Sequence, residues 1–332
     1  MRQTNKRMRK KIIFLGLLLF LFGIQSCQNK NKKKQTGGLG GDLIIFHAGS
    51  LSFPFKLIVE EFEKENPNIN VLLEAAGSVA CARKITDLKK ECDIMASADY
   101  QIIDRFLIPE YADWNISFAS NEMVIAYTDR SKMNRQISSL NWPEILAMPD
   151  IIYGRSDPNS DPGGYRTVMA MQLEALRKNR PAILELLNKD ENFMRPKEVD
   201  LLGLLEANVL DYIFIYRSVA QQHNLKIISL NDSVNLSYSY LADWYSSAQV
   251  DISGKKPGEY ENLKGSPMVY GITQLKNAPN PELAKAFLEF FFDADKGMKI
   301  IMEQGQGSVI PSKTATYSQI PEFLKKFAKR ED

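Results

Sequence analysis

From Leu43 onward the chain alternates short apolar runs with amphipathic stretches, and this alternation restricts the fold more than any other feature. Leu43-Ile44-Ile45-Phe46 reads as a strand, Phe55 to Glu65 as a helix with Leu57, Ile58 and Phe62 on one face, and Ile69 to Leu73 as a second strand. Ser78 to Lys90 follows as a helix and Asp93-Ile94-Met95-Ala96 as a third strand. That order is the signature of parallel β-α-β units, with helices covering both faces of one sheet.

The alternation starts again after about residue 120. Asp150 to Tyr153 reads as a strand, Tyr165 to Lys178 and Lys197 to Glu206 as helices, Tyr212 to Ile215 as a strand and Ser218 to His223 as a short helix. Glu122 to Tyr127 and Met268 to Gln274 are strand-like runs flanking this second unit. The expectation is an α/β protein of two doubly wound lobes joined by a two-strand hinge, with residues 42–120 plus 273–332 as lobe 1 and 121–272 inserted as lobe 2. The helices expected over Pro281 to Phe292 and Lys296 to Glu303 then pack on lobe 1.

The N-terminus has a different logic. A basic stretch through Lys11, thirteen mostly apolar residues from Ile12 to Ile24, and Gln25-Ser26-Cys27 have the layout of a signal peptide. The apolar run is short of the ~20 residues that span a bilayer as a helix. Ile24-Gln25-Ser26-Cys27 resembles a bacterial lipobox, which implies lipidation of Cys27; ordinary signal cleavage is the alternative. Residues 1–26 are thus read as the signal peptide and 27–41, rich in lysine and glycine, as a flexible tether on an exported, membrane-anchored protein of the bacterial cell envelope.

Ten of the 42 lysines and arginines precede Asp42, which leaves 32 basic against 40 acidic residues in the body, a net −8. A nucleic-acid partner would want the opposite sign. With 332 residues, 44% of them hydrophobic and 25% charged, the chain is globular and has enough apolar residues for full-sized cores. Three cysteines cannot frame a disulfide scaffold; Cys81 and Cys92 are read as two thiols or one disulfide. His47 and His223 are the only histidines, and neither has a second histidine at metal-ligand spacing, so catalysis and zinc lose their usual residues. Trp114, Trp142 and Trp244 are too dispersed to stack a sugar.

The informative residues sit where helices begin. Ala48-Gly49-Ser50-Leu51-Ser52-Phe53-Pro54, Ala76-Gly77-Ser78-Val79, Asp161-Pro162-Gly163-Gly164-Tyr165 and Arg195-Pro196-Lys197-Glu198 each carry a helix-start signal. Such starts expose backbone N–H groups and the positive end of the helix dipole, and in open α/β sheets ligands bind where strands end and helices begin. Four starts across two lobes suit a small anion. Arg83, Arg166 and Arg217 are expected to make structural salt bridges rather than to neutralise that anion.

The stretches FHAGSLSFPF, EAAGSVACARKITDL, DIMASADY, YADWNISFASNEMVIAYTDRSK, SDPNSDPGGYR and DYIFIYRSVAQQHNL resemble, in order, the tungstate/molybdate-binding proteins of ABC importers, which have the type II periplasmic binding protein fold. The resemblance implies a monomeric binding module, not an enzyme, with no cofactor; it would close on one tetrahedral oxyanion and deliver it to permease subunits. By position it implies Ser50 and Ser78 as lobe 1 ligands, and the Gly163 N–H and Tyr216 hydroxyl as lobe 2 ligands. Asp161 and Glu198 would bond directly to tungsten or molybdenum. Sulfate, phosphate or another small solute in the same fold is the first alternative, and an exported enzyme on this scaffold the second.

Overall fold

The computed structural model describes residues 39–256 and 258–331, and Leu39–Asp332 forms one compact unit. The signal peptide, Cys27 and most of the tether lie outside the described residues. In chain order the elements that matter are β1 (Gly41–Ala48), α1 (Ser52–Glu65), β2 (Ile69–Ala76), α2 (Ser78–Thr86), β3 (Ile94–Ser97) and β4 (Ile116–Ser120). There follow β5 (Met123–Tyr127), β6 (Tyr153–Ser156), α3 (Pro162–Lys178), β7 (Met194–Arg195), α4 (Asp200–Glu206), β8 (Tyr212–Tyr216), α5 (Arg217–Gln222) and β9 (Lys226–Ser229). β10 (Gln249–Ser253), β11 (Tyr260–Lys264), β12 (Val269–Gln274), α6 (Pro281–Phe292), α7 (Gly297–Glu303) and β13 (Gly307–Ser308) complete the set.

Two sheets result. The first has the order β13-β4-β12-β3-β1-β2, the second β7-β6-β8-β5-β9, and β10 and β11 make a separate antiparallel pair. β1 pairs in parallel with both β2 and β3, while β12 runs antiparallel to β3 and β4. In the second sheet β6 and β8 are parallel and β5 runs antiparallel between β8 and β9. These are the covered α/β sheets the alternation predicts. The chain passes from the first sheet to the second between Ser120 and Met123, and returns at Met268, whose carbonyl accepts from Asn121 N at 3.3 Å.

Under the first sheet, Phe55 and Phe62 of α1 pack on Phe287 and Phe291 of α6, with ring centroids 5.2 to 6.3 Å apart. All four side chains are buried, each worth roughly 1.5 to 3 kcal/mol when fully removed from water. This packing sets α1 so that its first turn ends at the sheet's carboxyl edge.

Several boundaries differ from expectation. The strand expected at Asp150 to Tyr153 lies at Tyr153–Ser156, because its Arg155 is buried by a bond to the Leu187 carbonyl at 3.0 Å rather than facing water. α2 stops at Thr86 and not Lys90. Glu122 precedes β5, which lies wholly in the second sheet, so the first crossing is two residues long rather than a strand. The fourth helix start is absent: Arg195 is in β7, Glu198 is in a turn with its carbonyl accepting from Leu201 N at 3.0 Å, and α4 begins at Asp200.

Candidate functional site

Three helix beginnings converge at the carboxyl edges of the two sheets. Ser50 lies in the tight turn Gly49–Leu51 before α1, Ser78 opens α2, and Asp161 caps α3 with Pro162 in its first turn. The two sheets meet closely here. A Cβ on Gly77 would fall 2.1 Å from the Ser160 carbonyl oxygen, so only glycine permits the contact, and Ala80 N donates to that same oxygen at 3.2 Å.

The hydroxyls have a shared arrangement. Ser50 Oγ accepts from Tyr270 OH at 3.2 Å, Ser78 Oγ accepts from Ala98 N at 2.9 Å, and Tyr216 OH accepts from Arg166 Nη1 at 2.8 Å. Each oxygen accepts a hydrogen bond from the protein and keeps its own proton to donate, that of Ser50 lying toward the Glu198 carboxylate. Tyr270 is fixed in turn by Asn121 Nδ2 at 3.0 Å. Ser50, Ser78 and Tyr216 are all buried, and burial holds Tyr216 neutral, far above the ordinary tyrosine range.

Arg166 is a fully buried cation that ties the two sheets together. Its Nη1 also donates to the Ala98 carbonyl at 2.8 Å, and its Nη2 lies 3.3 Å from Asp99 Oδ2, which accepts from Tyr165 OH at 2.6 Å. Asp99 therefore absorbs the one cation in this set, as a structural salt bridge would. Arg83 instead donates to the Ser253 and Gly254 carbonyls, and Arg217 pairs with Glu122. Neither joins the site.

Two carboxylates are left over. Asp161 Oδ2 accepts from Glu198 N at 3.0 Å, and burial pushes the Asp161 carboxyl up to about 6, against the Ser156 hydroxyl and the N–H groups of Glu198 and Gly163. The Gly163 N–H thus faces this carboxylate. Glu198 is buried with no well-aligned hydrogen bond on either carboxylate oxygen, and burial together with the Asp161 charge raises it well above the usual range, against the Arg166 charge, the Tyr216 N–H and the Ser50 hydroxyl. A Cβ on Gly163 would lie 3.0 Å from Ser156 Oγ, 3.1 Å from Asp161 Oδ2 and 3.1 Å from Glu198 Oε2, so those oxygens share one small space over its Cα.

All six expected residues come together, although Glu198 arrives on a turn. Ser156, Asp99, Asn121 and Tyr270 were missed. Ser156, Asp99 and Asn121 lie in stretches that carry the resemblance, yet nothing local marks a role for them, since each matters through a partner 66 or more residues away or through the turn that follows. His47 is packed, with Nδ1 at 2.8 Å from the Ala48 carbonyl, its ring stacked on Phe55 and its pKa lowered by burial to about 4. Cys81 and Cys92 are buried free thiols, and burial raises Cys81 to about 12. Among the described residues no group of His, Cys, Asp and Glu could hold a metal cation.

The chemistry available is hydrogen-bond donation from three oriented hydroxyls and helix N–H groups, plus two carboxylates that need an electrophile or protons. Comparison with known proteins agrees in kind. The model of a bacterial extracellular solute-binding protein family matches residues 43–305. An uncharacterized solute-binding protein of Petrotoga mobilis is 43% identical over 315 residues, covering 94% of this chain and 95% of its own. The molybdate/tungstate-binding protein WtpA of Thermococcus kodakarensis is 40% identical over 337 residues and covers 93% of each chain. In fold, the chain is similar to the Azotobacter vinelandii periplasmic molybdate-binding protein (TM-score 0.57, 13% identity, 81% of this chain and 99% of that one). The Mycobacterium tuberculosis sulfate-binding protein SubI is similarly alike (TM-score 0.56, 12% identity, 87% and 92%).

Proposed function

Because this chain belongs to the bacterial extracellular solute-binding protein family, a family of binding proteins and not enzymes, we propose that it captures tungstate or molybdate between its two lobes and hands the ion to an ABC permease. Ser50, Ser78 and Tyr216 donate their hydroxyl protons to the oxyanion, and the crossings at Ser120–Met123 and Met268 act as the hinge. A lipid on Cys27 and the basic tether keep the receptor at the membrane surface.

The observation that carries the reading is Glu198. Two unit charges 4 Å apart repel by about 4 kcal/mol at an effective dielectric of 20. A buried carboxylate with no well-aligned hydrogen bond on either oxygen, beside a second carboxylate, is therefore hostile to an anion that presents only oxygens. Sulfur in sulfate and phosphorus in phosphate take no further ligand from it. Tungsten and molybdenum expand their coordination, so carboxylate oxygens from Asp161 and Glu198 bonded to the metal turn repulsion into selectivity.

A thermal or chemical denaturation series with tungstate, molybdate, sulfate and phosphate tests this. A ligand at 1,000 times its dissociation constant stabilises by about 4 kcal/mol. Tungstate and molybdate should stabilise at micromolar concentration and sulfate should not. Stabilisation by sulfate or phosphate alone would refute the ligand assignment and leave the fold and family untouched.

A further inference from the structure

Ser156 ends β6 at the same sheet edge as the three helix beginnings, and it is buried. Its hydroxyl makes no well-aligned hydrogen bond, although it lies beside the Asp161 carboxylate and favours its charge. Buried hydroxyls are normally well paired, so one whose only neighbour is a poorly aligned carboxylate is open to a better-placed acceptor that arrives from outside the chain. The direction in which it is aimed is given by Gly163. The Cβ position there lies 3.0 Å from Ser156 Oγ and 3.1 Å from both Asp161 Oδ2 and Glu198 Oε2. The hydroxyl is thus the nearest donor to the space shared by two acceptor-only carboxylates.

Resting on the ligand reading above, we infer that Ser156 is a further ligand-contacting residue, whose hydroxyl donates to an oxygen of the bound oxyanion beside the two carboxylates. When Asp161 and Glu198 engage the metal centre, the oxyanion's oxygens are brought against carboxylate oxygens. A donor interposed at that point relieves the contact. Ser50 reaches the Glu198 side of that space, and Ser156 supplies the donor beside Asp161.

The test is Ser156→Ala, measured by calorimetry with tungstate, molybdate and, at high concentration, sulfate, alongside the melting temperature of the ligand-free protein. The affinity for tungstate and molybdate should fall about ten- to a hundredfold, the range for a hydrogen bond to a charged group. The ratio of tungstate to sulfate affinity should be kept, because the lost bond goes to an oxygen that all three ions have. The ligand-free melting temperature should change little, since the only contact removed inside the protein is a poorly aligned one to Asp161. Unchanged tungstate affinity would overturn the inference. So would a lowered ligand-free melting temperature with affinity within threefold of wild type, which would make the hydroxyl structural. Collapse of the tungstate to sulfate ratio would also overturn it, since Ser156 would then act through Asp161 instead. Failure of the wild-type protein to bind either metal oxyanion would refute the functional reading itself.

Discussion

Closing the cleft without a ligand should depend on pH, and Asp161 sets the size of the effect. In an open cleft its carboxyl is hydrated and has the ordinary value of 3.8; in the closed structure burial takes it to about 6. Each unit is worth 1.36 kcal/mol, so the charged form disfavours closure by about 3 kcal/mol, a factor near 150. A carboxyl whose closed-state pKa is raised imposes no penalty well below pH 3.8, where it is protonated in both forms. Its penalty grows as pH rises and is complete above pH 6. Glu198, raised by burial and by Asp161, acts with the same sign, while the Arg166 charge opposes both. Ligand-free protein should therefore be compact near pH 4 and open at neutral pH, where tungstate recloses it. Small-angle scattering of ligand-free protein from pH 4 to 8 would follow this as a rising radius of gyration. The Asp161→Asn, Glu198→Gln double variant should stay closed throughout. A radius that does not change with pH in the wild type, or one that follows the same curve in the double variant, would refute the reasoning.

Removing either lobe 1 hydroxyl, in Ser50→Ala or Ser78→Ala, should weaken tungstate binding by about 1.5 to 3 kcal/mol with the fold intact, and unaltered calorimetric affinity in the double variant would contradict it. Asp161→Ala and Glu198→Ala should each lower tungstate affinity and narrow the gap between tungstate and sulfate, read by competition titration; a gap left at its wild-type width would remove both carboxylates from the metal. Arg166→Leu strands the buried Asp99 carboxylate and should cost about 3 kcal/mol or more in a urea titration at pH 7. A loss below 1 kcal/mol would mean that Arg166 does not hold the two sheets together.

Periodicity made the parallel β1, β2 and β3 legible, because β1 and β3 are apolar on both faces, the edge strand β2 keeps an apolar run from Val71 to Leu73, and the helices between them have one apolar face each. It failed at β6, where Arg155 and Ser156 are polar yet buried, since sequence cannot show that Leu187 offers a carbonyl to the first of them. Helix-start chemistry marked the stretches that hold Ser50, Ser78 and Asp161 for a physical reason, since a strand that turns into a helix must supply small or capping residues locally, while the expected ligand roles came from the resemblance. The same rule misplaced Glu198, where Pro196 marks a turn between β7 and α4 and not a helix beginning. Asp99 and Tyr270 had no local mark. Their roles exist only after α3 meets β3 and β12 returns beside β4, and those contacts join residues 66 and 220 positions apart.

Gly77 also makes the cleft a caliper. With no side chain there, the shut position is defined by main chain against main chain, Ala80 N reaching the Ser160 carbonyl at 3.2 Å. Backbone at this spot has no rotamers with which to adapt, so the jaws have one seated setting. A guest too wide for that setting keeps the jaws from seating, whatever its charge. Gly77→Ala would act as a doorstop, yielding a receptor held ajar that still presents Ser50 and Ser78 to solvent. Under the proposed function, a permease that reads the seated outline would then ignore a receptor whose cage is chemically complete.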